Sequence, residues 1–492
     1  MTIDYQMLIH GQWVDSSTKE RFPTSNPFNQ EIWATIPQAS EDDVSQAIEG
    51  ARKAFDTSWK KVSGLQRAQL LMKLADLLDE NAARIAGIET TDNGKVIRET
   101  RNQMHFAARN YRFFAGYADK LNGEVIPLDN PSLFDYTLRE PLGVAVLITS
   151  WNSPIALLTN KLAPALAAGN TVIIKPSEHT SATTLEFGKL IQQAGFPDGV
   201  VNIVTGDHRV GNFLTRNPAV NKISFTGGAE TGKLIARNAS QHLIPVTLEL
   251  GGKSPNIIFD DADINAAVIG AVAGIYGASG QTCIAGSRLL VQRSVYDEVI
   301  QKVVDKARTI RLGNPLNPST EMGPAANKPQ YDRILSMIEK GKEDGAKLVY
   351  GGHPVSEGEM KHGYFIAPTI FVDVQNHSTI AQEEIFGPVL SVIPFEDQEE
   401  AVKIANESRY GLASGIWTSD VKRVHRLARQ IQAGTVWVNT YRTSAAQAPF
   451  GGVKMSGYGR ERGWHALMDY TQIKNVMINL SDDARDPFSM QT

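Results

Sequence analysis

Apolar residues recur along this chain at two different periods. Over residues 41–58 and 65–81 they return every three to four positions, in the second stretch as Leu70, Leu71, Leu74, Leu77 and Leu78. That is the spacing of an amphipathic helix, so the first 120 residues read as mainly helical. Residues 124–139 are extended and interrupted by proline, suited to an arm or a hairpin. From Gly143 the pattern changes. Short Val- and Ile-rich runs at 143–149, 171–175, 200–204, 222–226 and 246–250 alternate with helical stretches near 154–168, 181–194, 210–216 and 230–240. Continuous apolar runs predict strands buried on both faces, hence a parallel sheet covered by helices. Such sheets bind ligands beyond the carboxyl ends of their strands.

A second series follows. Strands are predicted at 255–259, 287–292, 389–395, 414–418 and 434–438, and helices at 264–278, 295–310, 330–341, 398–407 and 420–432. Residues 313–329, rich in Pro, Asn and Gly, read as a loop. The fold class is α/β, with two domains and a cleft between them. The 124–139 segment and the tail after Tyr470 are expected to form a small sheet used in assembly.

Composition narrows the function. Of 492 residues, 42% are hydrophobic and 21% charged, which excludes a disordered or fibrous chain. The 49 Lys and Arg against 53 Asp and Glu leave a net charge of −4, without the basic stripe of a nucleic-acid binder. The single cysteine, Cys283, can form neither an intramolecular disulfide nor a Cys-rich zinc site. The 10 histidines lie scattered without ligand spacing, so no metal site is expected. The first residues lack the basic-then-apolar pattern of a signal peptide. The longest uncharged run, 264–287, is too rich in small and polar residues to span a bilayer. The expectation is a soluble, cytoplasmic protein with no nucleic-acid or membrane partner.

Few residues carry chemistry in this background. Cys283 sits in Ser279-Gly280-Gln281-Thr282-Cys283-Ile284-Ala285-Gly286, where flanking glycines let backbone approach a ligand. It reads either as a buried inert thiol or as a nucleophile. Glu249 ends an apolar strand between two leucines, as a solvated strand-end charge or as a general base with a raised pKa. The loop from Gly227 to Lys233 nearly matches a triphosphate-binding loop, but Leu234 stands where that motif needs Ser or Thr. A glycine turn at a helix N-terminus, suited to a phosphate, remains. Lys175-Pro176-Ser177-Glu178 follows a strand and suits ribose hydroxyls or plain solvent. Asn152 is either an oxyanion donor or a helix cap before Pro154.

Together these pieces resemble the aldehyde dehydrogenase superfamily. Gly11-Gln12-Trp13, Trp151-Asn152, Lys175-Pro176-Ser177-Glu178, Phe225-Thr226-Gly227 and Leu248-Glu249-Leu250-Gly251-Gly252 stand in the family's order. So do Gly280-Gln281-Thr282-Cys283, Glu383-Glu384-Ile385-Phe386-Gly387-Pro388 and Pro449-Phe450-Gly451-Gly452, and the match reaches Tyr470-Thr471. The resemblance implies a Rossmann-type NAD-binding domain at 1–120 and 142–251 and an α/β catalytic domain at 252–455. It adds a small β oligomerisation arm at 121–141 and 468–492, in a homodimer or homotetramer. The implied reaction is NAD(P)-dependent oxidation of an aldehyde to a carboxylate.

By the same resemblance, Cys283 is the nucleophile, Asn152 and the Cys283 N–H hold the oxyanion, and Glu249 activates water. Glu461 matches a proton-relay position, and Lys161 a position near the nucleophile that helps set its protonation. The implied cofactor positions on the first sheet are Ile148, Thr149, Trp151, Lys175, Ser177, Glu178, Gly206, Phe225, Gly227, Gly228, Thr231, Leu250 and Gly251. Glu384 and Phe386 complete them at the nicotinamide ribose. Lys175 and Glu178 clamp the adenine ribose, and Glu178 repels a 2′-phosphate, which favours NAD and leaves NADP open. Two departures stand out: Ser150 where many members have Pro, and Gly228 where many have Ser, which removes a hydroxyl from the phosphate site.

The substrate positions implied are Ser153, Asn160, Thr282, Ile284, Arg442, Ser444 and Phe450. They are more polar than the aromatic funnel of members that take simple aldehydes. A polar, oxygenated or anionic substrate is expected, with Arg442 as carboxylate partner or as a solvated loop residue. Trp151-Asn152-Ser153-Pro154 is similar to bacterial catabolic members acting on ring-derived aldehydes or their cyclic lactol or hydroxylactone forms. The alternatives are a CoA-acylating dehydrogenase, whose members generally lack the strand-end glutamate, and a non-catalytic binding protein on the same fold.

Overall fold

The computed structural model describes residues 2–482 and Phe488. The five apolar runs between 143 and 250 form parallel strands, in spatial order Val246–Glu249, Lys222–Thr226, Val144–Ile148, Thr171–Lys175 and Val201–Ile203. Every residue of Val144–Ile148, Thr171–Lys175 and Lys222–Thr226 is buried, as a sheet with helices on both faces requires. Side chains alternate between those faces. Ala145 and Leu147 pack toward helices Gly64–Glu80, Ile97–Ala115, Pro154–Ala168 and Ala182–Ala194. Val144, Val146 and Ile148 pack toward Glu41–Thr57, His208–Thr215 and Ala229–Ser240. Strand order reverses between Val144–Ile148 and Lys222–Thr226. The register there sets Phe225 beside Ile148 and Thr226 beside Glu249, and a crevice opens at the carboxyl ends.

The helical reading of the first 120 residues needs correction. Helices Glu41–Thr57, Gly64–Glu80, Ala82–Asn93 and Ile97–Ala115 are present, but five short strands precede them within residues 3–37. Met7–Ile9 and Gln12–Val14 extend the large sheet to eight strands. They are joined by His10 and Gly11, both at positive φ (50° and 79°), as a two-residue hairpin turn demands. Strands of two to six residues are too short to show a period, which is why the pattern hid them. At the far edge Gly457–Tyr458 pairs antiparallel with Val246–Glu249.

The second sheet has seven strands. Pro255–Ile258, Arg288–Gln292, Val389–Phe395, Ala413–Trp417 and Thr435–Val438 fall where the apolar runs predicted. Lys347–Tyr350 and Thr369–Val372 were not foreseen. The 313–329 loop ends early, because Asn327 caps helix Lys328–Glu343 and Pro329 fits its first turn. The helix expected at 264–278 stops at Tyr276. Thr471–Asn479 lies antiparallel against Leu133–Pro141, which also pairs with Val125–Ile126, giving the small separate sheet. Phe134, Leu138, Ile473, Met477 and Ile478 are exposed on it. Residues 483–487 and 489–492 of the expected arm lie outside the described residues. No described helix is long and apolar enough to cross a membrane. Among the described residues no group of three His, Cys, Asp or Glu could hold a metal ion.

Candidate functional site

The crevice at the strand-order reversal is a cavity of about 580 Å³. Ile148, Thr149 and Trp151 line it from one strand end, and Lys175, Ser177 and Glu178 from the next. Phe225, Gly227, Gly228 and Thr231 close the other side. Lys175 is buried, and burial lowers its pKa while Glu178 and Asp207 oppose that shift. Its Nζ lies 3.8 Å from the Glu178 carboxylate and donates to the Pro176 carbonyl at 3.1 Å. Gly228 is the N-cap of helix Ala229–Ser240, with no side chain capping the helix. A side chain at Gly228 would meet open space. The first N–H groups of that helix therefore face the cavity uncapped, an anion-binding arrangement. Gly206 stands just before His208, Arg209 and Gly211, which line the cavity. It packs against Val210 and Gln38 at a φ of 144°, which is a turn position.

Trp151, Gly227, Gly228 and Thr231 also line an adjoining space of about 440 Å³, so the two are continuous. Asn152, Leu250, Gly251, Cys283, Glu384 and Phe386 line this second part. Phe386 sets its ring edge-on to Trp151, centroids 5.2 Å apart. The Gly252 N–H donates to Glu384 Oε1 at 2.9 Å, and burial still lifts the Glu384 pKa to about 7.

The Cys283 loop is held by unusual backbone. Ala278 and Ser279 are left-handed (φ 54° and 56°), a conformation costing about 1–2 kcal/mol per residue for L side chains. Gly280 follows at φ 71°, and a β-carbon there would strike the Gly387 carbonyl. Side chains fix the strain in place. Ser279 Oγ donates to the Gly323 carbonyl at 2.8 Å, and Gln281 Oε1 accepts from Ala326 N at 2.9 Å. Ala278 N donates to Glu99 Oε1 at 3.0 Å. Asn152 Nδ2 donates to the Gln281 carbonyl at 3.0 Å, which fixes the amide beside Cys283 and leaves its second N–H available. Burial, then the charges of Glu384 and Glu249, push the Cys283 thiol up to about 12, against the opposing charge of Arg462. Cys283 therefore rests as the thiol at neutral pH.

Glu249 ends its strand at 4% exposure, and neither carboxyl oxygen has a hydrogen-bond partner among the described residues. Burial raises its pKa well above the ordinary value, the Glu461 charge adds to this, and Lys161, Arg460 and Arg462 oppose it. Gly451 leaves room for it, since a β-carbon there would lie 2.6 Å from Glu249 Oε1. Lys161 and Glu461 form a fully buried ion pair, and Lys161 Nζ also donates to Thr226 Oγ1 at 2.7 Å. Their charges bear on Glu249, and the Glu461 charge also bears on Cys283.

The substrate candidates divide. Thr282 and Ile284 flank Cys283, half-buried. Ser153 Oγ accepts from Lys95 Nζ at 2.5 Å. Asn160 Oδ1 accepts from Asn110 at 3.1 Å and from Arg462 Nε at 3.2 Å. Phe450 lies under the Arg462 guanidinium at 5.0 Å. Arg442 Nη1 donates to the Ala273 carbonyl at 3.2 Å, at the carboxyl end of helix Ile264–Tyr276, so part of its fork is engaged there. Ser444 is exposed. Sequence reasoning missed Lys95, Arg462 and the anchoring role of Gln281. Arg462 stands directly after Glu461, but only its contacts with Asn160, Phe106 and Phe450 in the fold distinguish it.

A model of the aldehyde dehydrogenase family matches residues 13–476. A (Z)-2-((N-methylformamido)methylene)-5-hydroxybutyrolactone dehydrogenase of Acinetobacter baylyi is 46% identical over 99% of both chains. Betaine aldehyde dehydrogenase of Bacillus subtilis is 42% identical over 98% of this chain and 99% of its own. A crystal structure of Staphylococcus aureus betaine aldehyde dehydrogenase with NAD+ superposes with a TM-score of 0.97 at 38% identity, covering 99% of this chain and 97% of that one. An NAD+ complex of a Bacillus cereus aldehyde dehydrogenase gives 0.95 at 42% identity, covering 97% of each chain.

Proposed function

Because this chain belongs to the aldehyde dehydrogenase family, we propose that it oxidises a polar aldehyde to its carboxylate with NAD, through Cys283, Asn152 and Glu249. One observation carries the reading. The thiol of Cys283 and the oriented amide of Asn152 line one cavity, and a buried carboxyl without partners, Glu249, acts on that thiol.

The residues present fit NAD. Uncapped N–H groups at Gly228 suit the pyrophosphate. Lys175 and Glu178 suit the adenine ribose, and the Glu178 carboxylate disfavours a 2′-phosphate there. Glu384 suits the second ribose.

Deprotonated Cys283 Sγ adds to the aldehyde carbon. The oxyanion accepts the free Asn152 N–H and the Cys283 backbone N–H, and each such donor is worth about 3 kcal/mol of barrier. Bound NAD supplies the hydride acceptor that converts this thiohemiacetal to a thioester. Glu249, as carboxylate, then takes a proton from water. The water oxygen displaces Sγ and the acid leaves. Burial chiefly raises the affinity of Glu249 for that proton, the Glu461 charge adds to it and Lys161 opposes it.

The substrate class follows the polar entrance formed by Ser153 and Asn160 and the lactone-acting Acinetobacter baylyi relative. It is an aldehyde that also exists as a cyclic lactol or hydroxylactone. We further assign the domains the limits given by the resemblance, and residues 121–141 and 468–482 an assembly role in a cytoplasmic homodimer or homotetramer. The exposed apolar side chains of that sheet support the last point. The test is NAD reduction with simple, aromatic, acidic and lactol-forming aldehydes, each with and without CoA. Turnover without CoA is expected. Reduction only when CoA is present would transfer the chain to the acylating class and remove the role of Glu249.

A further inference from the structure

Two cations beside the nucleophile have no part in the chemistry above. Lys95 is 6% exposed, and its Nζ reaches only two neutral oxygens, Ser153 Oγ at 2.5 Å and Gln103 Oε1 at 3.1 Å. Arg462 uses Nε on Asn160 Oδ1, and its Nη1 and Nη2 have no hydrogen-bond partner among the described residues. The guanidinium is set against the rings of Phe106 and Phe450, at 5.1 and 5.0 Å, and its backbone is left-handed at φ 62°. Among the described residues no carboxylate lies within ion-pair distance of either cation; Glu461, next to Arg462, turns to Lys161. Burial, with the Arg442 charge, lowers the Lys95 pKa; Glu89 and Glu99 oppose this from farther off, and each already accepts a backbone N–H, from Ile155 and Ala278. Arg462 is half-buried, with its Nη groups open to a ligand, whereas burying a cation such as Lys95 without an anion is costly. Strained backbone held at a site is a sign of function.

Helix Pro154–Ala168 and its N-cap tie both cations to one element, Lys95 through Ser153 and Arg462 through Asn160. Ser153 follows Asn152, which lines the Cys283 cavity. The Arg462 charge acts on the Cys283 thiol, and the thiol acts on Lys95. Asn110 orders the Asn160 oxygen that Arg462 uses, so the guanidinium is oriented as well as charged.

We propose that Lys95 and Arg462 hold the carboxylate of an aldehyde acid, the open form of a 5-hydroxybutyrolactone, while Cys283 attacks its aldehyde carbon. Opening balances without an oxidant. The ring C–O bond at the hydroxyl-bearing carbon breaks and the hydroxyl proton leaves. The hydroxyl oxygen becomes the aldehyde oxygen, and the ring oxygen becomes part of the carboxylate. The substrate so formed is a 4-oxo acid with one negative charge, and the inference rests on the aldehyde-oxidising reading above.

The test compares kcat/KM for 4-oxobutanoate with that for its methyl ester. The wild-type ratio is expected to favour the acid about tenfold or more, and to shrink as salt screens the pair. Lys95→Met and Arg462→Met should each lower the ratio about 30-fold or more, and Arg462→Lys should restore part of it. A wild-type ratio of one or below overturns the proposal and leaves the dehydrogenase reading standing. So does a ratio that neither Met variant changes, once NAD binding and thermal unfolding show both variants folded. If the variants do not fold, the wild-type ratio and its salt dependence decide. Silence with every aldehyde overturns both.

Discussion

Replacing Glu249 by Gln keeps the side chain's volume and removes its ability to take a proton. A positioned base contributes roughly 10²–10⁴-fold, so steady turnover should fall by that factor, about 3–5 kcal/mol of barrier. The first turnover should survive, because the thioester forms before water is activated. Stopped-flow absorbance should therefore show a burst of reduced cofactor equal to the number of sites, followed by near silence. The same substitution has a signature in stability. The folded Glu249 carboxyl holds its proton well above the ordinary value of 4.5, chiefly because it is buried. Below the unfolded pKa both states are protonated and nothing is lost. As pH rises toward the folded pKa, the unfolded chain releases the proton and the folded one keeps it. The wild type then loses about 1.4 kcal/mol of stability for each pH unit crossed. Gln does not titrate, so the gap in unfolding midpoint between Glu249→Gln and wild type should move in the variant's favour with rising pH. It should level off above the folded pKa. A burst that vanishes while steady turnover persists refutes the reasoning. So does a midpoint gap that stays flat from about pH 5 to pH 8.

Three further outcomes are expected. With its pKa near 12, Cys283 without cofactor should react with iodoacetamide about tenfold faster per pH unit through neutral pH; a plateau below about pH 9 would contradict this. Lys161→Met strands the buried Glu461 carboxylate and should cost about 3–5 kcal/mol, most of it recovered by adding Glu461→Leu; calorimetric midpoints that show no recovery would count against the pairing. Glu178→Gln removes the charge at the cofactor mouth and should raise kcat/KM for NADP relative to NAD by about tenfold; an unchanged ratio would dismiss Glu178 as the discriminator.

Strands buried on both faces were the most legible part of the chain. Thr171–Lys175 and Lys222–Thr226 are buried throughout because helices cover both sides, and their limits match the predicted strands residue for residue. Helix Pro154–Ala168 is bounded by Pro at its start and Gly169 at φ 94° after it, signals the sequence carries openly. Strands such as Met7–Ile9 and Thr369–Val372 were not read, because each pairs antiparallel with a neighbour and stands outside the strand–helix alternation that marked the rest. At the site, Cys283, Asn152 and Glu384 could be placed together only through the family resemblance, since their local contexts left each with a plain structural reading as well. Lys95 and Arg462 could not. An unpaired cation is recognised by what fails to surround it, and that is a property of packing from distant segments.

The large sheet takes its two edges from opposite parts of the chain, Gln12–Val14 on one side and Gly457–Tyr458 on the other. Glu249 lies on the strand that Gly457–Tyr458 completes, and its electrostatic neighbours are Lys161 and Glu461. During synthesis, at about 5–20 residues per second, the parallel strands can form long before residue 461 leaves the ribosome. Until then the carboxyl at 249 has no edge strand over its backbone, and Lys161 is a buried cation without its anion. The water-activating carboxyl thus gains its edge strand and its nearest opposed charges only when the last tenth of the chain is in place, so the hydrolytic half of the site is assembled last.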